Sequence, residues 1–212
     1  MTPEYVVMGL GLILVLWYFI FATYNRRRGI RIFRWLQRDF SKLGDSKNIK
    51  SGWIGSSGSG AQIVVQPARP PFQRLELLYL LQSRELAPLW LINILRGKRD
   101  LMIVRAVLPR PAGGEVEVMP PNNRALNKMR QETAAPWTFA DGPHGLTIVH
   151  RGTSAEQVKW LKPFLDKYGL ELRRLSWGPK EPHLLIVLRL GQFLNDNAAA
   201  FFRDLRQAAG GR

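Results

Sequence analysis

Cysteine is absent from this 212-residue chain. That excludes disulfides, thiolate zinc sites, cysteine nucleophiles and cysteine-ligated iron–sulfur clusters, so any soluble part must be held by a packed core. Histidine is scarce as well. His144, His150 and His183 have no histidine partner at i+3 or i+4, and no HExxH or paired-carboxylate pattern accompanies them. Only the fold can bring His144, His150 and Asp141 together. The GxSxG and GxGxxG patterns are missing too, so no catalytic residue, metal, cofactor or small-molecule substrate is assigned. Acidic residues are few: 16 Asp and Glu against 31 Lys and Arg leave a net charge of +15. A hydrophobic content of 46% excludes a disordered chain.

What the sequence does have is one long apolar run. Tyr5 to Asn25 carries no charge. As a helix it measures about 31 Å, the thickness of a bilayer core. Tyr5 stands at one end, and Trp17, Tyr18 and Tyr24 gather toward the other, as interfacial aromatics do. A cleavable signal peptide wants a basic start and a small-x-small cleavage site, whereas this chain begins MTPE and the run closes on FATYN. Residues 1–25 therefore read as a retained transmembrane anchor. Arginines crowd the carboxyl side of the run and none precedes it. The expected topology is a single pass through the plasma membrane, N-terminus outside and domain in the cytoplasm.

Residues 26–50 form a basic juxtamembrane segment, with nine Lys and Arg against Asp39 and Asp45. In helical register Ile30, Phe33, Leu36, Phe40 and Leu43 share one face, and Arg31, Arg34, Arg38 and Lys42 another. That pattern predicts an amphipathic helix lying among headgroups. Arg26, Arg27, Arg28, Arg31, Arg34, Trp35, Arg38 and Lys42 would then face the membrane and its anionic lipids. A helix packed on a membrane partner is the second reading. Nucleic-acid binding is the third, because clustered positive charge does not distinguish lipid phosphate from RNA phosphate.

Residues 51–62, rich in Gly and Ser, read as a linker. They are no Walker loop, since Gly60 is followed by Ala61 and Gln62 instead of Lys and Ser or Thr. Beyond them, hydrophobic periodicity and turn residues predict strands at 62–65, 75–81, 101–108, 115–119, 137–140, 146–150, 170–177 and 183–190. Helices are predicted at 86–95 with Ser83 as cap, and at 124–132 capped by Asn122 or Asn123. Two more follow: one opened by a Thr153/Glu156 capping box and bent by Pro163, and a last one capped by Asn195 or Asp196. The order suggests α+β architecture: a tandem of two ferredoxin-like βαββα-type units over 63–140 and 141–212. A single six- to eight-stranded mixed sheet is the alternative.

The uncharged segment LAPLWLINIL, residues 86–95, is too short to cross a bilayer. It is expected either to be buried on both sides or to offer Leu86, Leu89 and Trp90 to the membrane or a partner protein. Charged SRE and GKRD flank it, compatible with an Arg84/Glu85–Arg99/Asp100 ion-pair cluster or with ordinary cap and turn charges. Together these features suggest a non-enzymatic, membrane-anchored scaffold, assembly factor or accessory subunit with a protein partner in the membrane. The alternative is a membrane-tethered nucleic-acid binder.

Overall fold

Glu4 in the first turn of helix α1 (Pro3–Gln37) faces the positive end of the helix dipole. The computed structural model describes residues 3–110, 113–132, 137–152, 155–191, 194 and 197–210. At 35 residues α1 is about 52 Å long, well beyond the 30 Å or so of a bilayer core. Its first part, long and apolar enough to cross a membrane, has none of its most apolar window buried by the rest of the protein. From Asn25 the surroundings change. Asn25, Gly29, Ile32 and Leu36 are buried at spacings of four, three and four, the single stripe of a helix lying on a core.

That core belongs to one sheet of nine strands, antiparallel at every pairing, in the order β1-β2-β3-β4-β9-β8-β5-β7-β6. The strands are β1 (Ile49–Trp53), β2 (Gly60–Val65), β3 (Arg74–Leu80), β4 (Leu101–Val107), β5 (Gly114–Met119), β6 (Thr138–Asp141), β7 (Thr147–Gly152), β8 (Leu172–Trp177) and β9 (Leu184–Arg189). In the central strands alternate residues are buried, so one face of the sheet points into the main core: Leu75, Leu77 and Tyr79 from β3, Leu184, Ile186 and Leu188 from β9. The end of α1, α4 (Ala155–Tyr168) and α5 (Ala198–Ala208) cover that face, with Trp35, Phe164 and Tyr168 all ringed around Phe201. Helix α3 (Arg124–Gln131) covers part of the opposite face, where Met119 and Val149 meet Leu126. Asn123 caps α3 through a bond from the Ala125 amide.

The α+β class holds, but the pairing departs from two ferredoxin-like units. Strands flanking a helix in such a unit run parallel with a strand between them. Here β3 and β4 flank α2 (Ala87–Leu95) yet pair directly and antiparallel, Leu80 opposite Leu101. Two split crossovers do form, β5–α3–β6 around β7 and β7–α4–β8 around β5, but they share strands across the two expected halves and their helices lie on opposite faces of the sheet. The sheet therefore runs across the expected boundary at residue 140, because β4 pairs with β9 and β5 with β8. It is also larger than the mixed-sheet alternative and wholly antiparallel.

Two local expectations are likewise corrected. The Gly/Ser segment is no tether: β1 and β2 pair from Ile49↔Val65 to Trp53↔Ala61, and its glycines let the hairpin turn approach other backbone. A Cβ on Gly29 of α1 would strike the Ser57 carbonyl oxygen, so the turn seats directly on the helix. Helix α2 begins after Leu86, with Pro88 in its first turn and no side-chain cap from Ser83. Helix α4 runs continuously through Pro163. The Thr153/Glu156 capping box and the Asn195/Asp196 cap lie outside the described residues; Asn197 caps α5 by accepting from the Ala199 amide.

Candidate functional site

The predicted lipid-facing residues divide in two. Arg26, Arg27, Arg31, Arg34, Arg38 and Lys42 are exposed. Trp35 is not: it is 9% exposed and packs on Phe201. Ile32, Leu36, Phe40 and Leu43 are buried beside it in the main core. The apolar face read as lipid-facing is thus covered by the sheet domain, because an amphipathic stripe carries no mark of which apolar medium it meets. Arg27, Arg31, Arg34 and Arg38 line one side of an open groove of about 750 Å³ between α1 and Gly191.

Arg28 has a different role. It reaches Asp100, at the head of β4, with Nε 3.0 Å from Oδ2, close enough for an ion pair though not aligned as a hydrogen bond. Arg84 donates from Nη2 to the same oxygen at 2.8 Å, and the Gln82 amide donates to Oδ1 at 2.8 Å. Asn25 completes the junction. Fully buried, it donates from Nδ2 to the Gln82 carbonyl at 3.1 Å and accepts from Arg84 Nη1 at 2.7 Å. Tyr79, from β3, donates its hydroxyl to the Gly29 carbonyl at 2.8 Å, and burial pushes its phenol well above the ordinary range. A buried carboxylate with two guanidiniums and an amide is stable only as a complete set, so these contacts fix α1 to the strand ends in one register.

Just beyond Arg84 the chain rises beside the apolar half of α1. Trp17 donates its indole N–H to the Arg84 carbonyl at 2.9 Å. Trp90 of α2 packs against Trp17 and Phe21, with ring centroids 5.7 and 5.8 Å away. No described residue of α2 is buried, which removes the reading of a core helix; Leu86, Leu89, Leu91, Ile92 and Leu95 are exposed. Beneath α2 lies a cavity of about 290 Å³ lined by Arg28, Arg84, Trp90, Ile94, Arg99 and Arg189, among others. Arg173 stands close to Arg189 and Arg99. Its guanidinium is held below its ordinary pKa, first by burial and then by those two like charges. Among the described residues none of these three arginines has a carboxylate partner. Arg189 Nε is buried without a hydrogen bond.

The ion pair expected beside α2 forms as Arg84 with Asp100, but Arg99 takes no part in it. Sequence reasoning missed Asn25, Arg28 as the second partner of Asp100, and the convergence of Arg173 and Arg189, which come from strands far along the chain. A polar Asn closing an apolar run, one helical turn before Gly29, was the only local signal.

The histidines do not assemble. His144 lies in the turn before β7, φ 56°, with Nε2 2.8 Å from the Asp166 carbonyl. His183, just before β9 at the opposite end of the sheet, accepts the Leu108 amide through Nδ1 at 3.0 Å. His150 sits within β7, opposite Thr138 and Val116. Among the described residues no cluster of three or more His, Asp or Glu is arranged to hold a metal. The chain matches no protein-family model and no curated protein.

Proposed function

We propose that the protein is a single-pass, non-catalytic membrane scaffold, an assembly factor or accessory subunit of a membrane complex. Its α+β domain stands on the cytoplasmic face of the plasma membrane. The observation that carries this reading is the continuity of α1. One unbroken helix passes from an apolar segment with no buried residue into the core of the domain, locked there by Asp100, Asn25 and Tyr79. A tethered enzyme needs only a flexible linker, whereas a helix built into the core presents a domain at a fixed height and rotation. The arginines that follow the apolar segment support the inward orientation.

Two experiments test this. Gentle solubilisation of the full chain from its native membrane, with and without nuclease, should yield a stoichiometric membrane protein that survives the nuclease. Partners lost on nuclease treatment would favour nucleic-acid binding instead. The absence of cysteine makes topology directly readable. In intact cells a membrane-impermeant maleimide should label Thr2→Cys and leave Lys180→Cys untouched until the cells are permeabilised; the reverse pattern would overturn the orientation.

A further inference from the structure

The exposed apolar surface collects at one end of the sheet. Because every pairing is antiparallel, β1, β3 and β9 finish where β2, β4 and β8 begin, and α2 and the turn before β8 both lie at that end. Of the ten large apolar side chains exposed outside α1 among the described residues, eight are at this end, five of them between Leu86 and Leu95; Leu170, in the turn before β8, is 73% exposed. Such concentration is unusual for a surface in water.

The position of α2 along α1 identifies what covers it. Trp90 rests on Trp17 and Phe21, four to eight residues before Asn25, where the domain begins to bury the helix. At 1.5 Å per residue this sets Trp90 roughly 6–12 Å into the apolar segment, the depth at which amphipathic helices lie in a leaflet. On the domain side of α2 the chemistry reverses. Asp100 already neutralises Arg28 and Arg84. Among the lining residues Glu171 is the other carboxylate, and Arg99 and Arg189 outnumber it; Arg173 stands near them with its Nη2 donating to the Gly97 carbonyl at 2.9 Å. The site is apolar above and cationic below, which is the complement of an amphiphile with an anionic head.

We infer that α2 is embedded in the leaflet and roofs a site for an anionic phospholipid, its phosphate held by Arg99 and Arg189 and its acyl chains lying along Trp90 and Trp17. This inference rests on the membrane reading of α1. It differs from the exposed arginine collar in naming a built site with one occupant.

The test uses the full-length protein. In detergent micelles titrated with phosphatidylglycerol or phosphatidylcholine, native mass spectrometry should show preferential retention of phosphatidylglycerol. Arg99→Gln, an exposed position that leaves the fold intact, should weaken that retention about fivefold, and the double Arg99→Gln/Arg189→Gln change more than about tenfold. Equal retention of the two lipids by the wild type, or unchanged retention by Arg99→Gln, would overturn the site. Displacement of phosphatidylglycerol by millimolar inorganic phosphate would assign it to a soluble anion and overturn the lipid. In parallel, Leu91→Cys carrying an environment-sensitive fluorophore is reconstituted into phosphatidylcholine/phosphatidylglycerol nanodiscs. It should be quenched by nitroxide-labelled lipid, while the same label at Lys180→Cys is quenched by aqueous iodide. Retention of the chain in carbonate-washed membranes with an iodide-accessible Leu91 label would overturn only the α2 site. Extraction by carbonate would overturn the membrane reading itself.

Discussion

Replacing Asp100 by Asn tests whether the junction is held as described. The change keeps the size of the side chain and an acceptor for the Gln82 amide, but removes the charge that two arginines share. Its carboxylate is 3% exposed, Arg84 13% and Arg28 29%. Removing one partner of a fully buried pair costs about 3–5 kcal/mol. Arg28 can turn toward water and Arg84 keeps Asn25 Oδ1 and the Gln82 carbonyl, so the lower end, about 3 kcal/mol, applies. For a chain of this length each kcal/mol is worth about 2–4 °C, giving a fall of roughly 6–12 °C in Tm. The assay is thermal unfolding of the full-length protein in a mild detergent, followed by tryptophan emission. Asp45→Asn is the control: that carboxylate is 78% exposed and 3.6 Å from Arg69, and its loss should be undetectable. A Tm for Asp100→Asn within about 2 °C of wild type would refute the reasoning.

Three further outcomes follow from the same geometry. Trp35→Ala should destabilise the full chain by about 3–5 kcal/mol in chemical denaturation, because the indole packs in the core; a lipid-facing indole would give almost no change. Gly29→Ala should cost about 1–3 kcal/mol and loosen the β1–β2 turn, seen as faster amide exchange at 55–59, since the new Cβ meets the Ser57 carbonyl. Stability should also decline in alkali. Burial, then the Asp204 carboxylate, pushes the Tyr168 hydroxyl up to about 12 from an ordinary value near 10, and Lys167 is raised by the same carboxylate. A raised folded pKa means the contribution is intact below pH 10 and lost as pH rises from 10 to 12. Tyr168→Phe should flatten the Tm–pH curve in that window.

How much was legible depended on what each pattern is blind to. Strand and helix positions followed from local periodicity: β9 from HLLIVLRL, α3 from an Asn cap and an alternating face. Which strands pair did not, because a helix between two strands reads the same whether it crosses over an intervening strand or folds back as α2 does between β3 and β4. The hairpin at 49–65 was hidden because edge strand β1 has a mostly exposed pattern with no alternation to detect. The juxtamembrane face was seen and its medium mistaken, since lipid and protein core select the same side chains. At the candidate site, Arg84 and Asp100 were visible as charges flanking one helix. Arg173 and Arg189 were not, because nothing in their neighbourhoods along the chain marks two strands about to converge.

The absence of a joint between the apolar part of α1 and the sheet makes the molecule a lever. Nine strands at about 4.8 Å spacing give a sheet roughly 40 Å wide. With α1 spanning a membrane as proposed, a bilayer thinner than its apolar segment would be met by tilting, and a tilt of about 10° would swing an edge 40 Å away through roughly 7 Å. Strand β6, at the far edge from the β1–β2 hairpin seated on α1, would travel furthest. A change in membrane thickness too small to alter any contact in the domain would thus arrive at that edge as a displacement larger than a strand spacing.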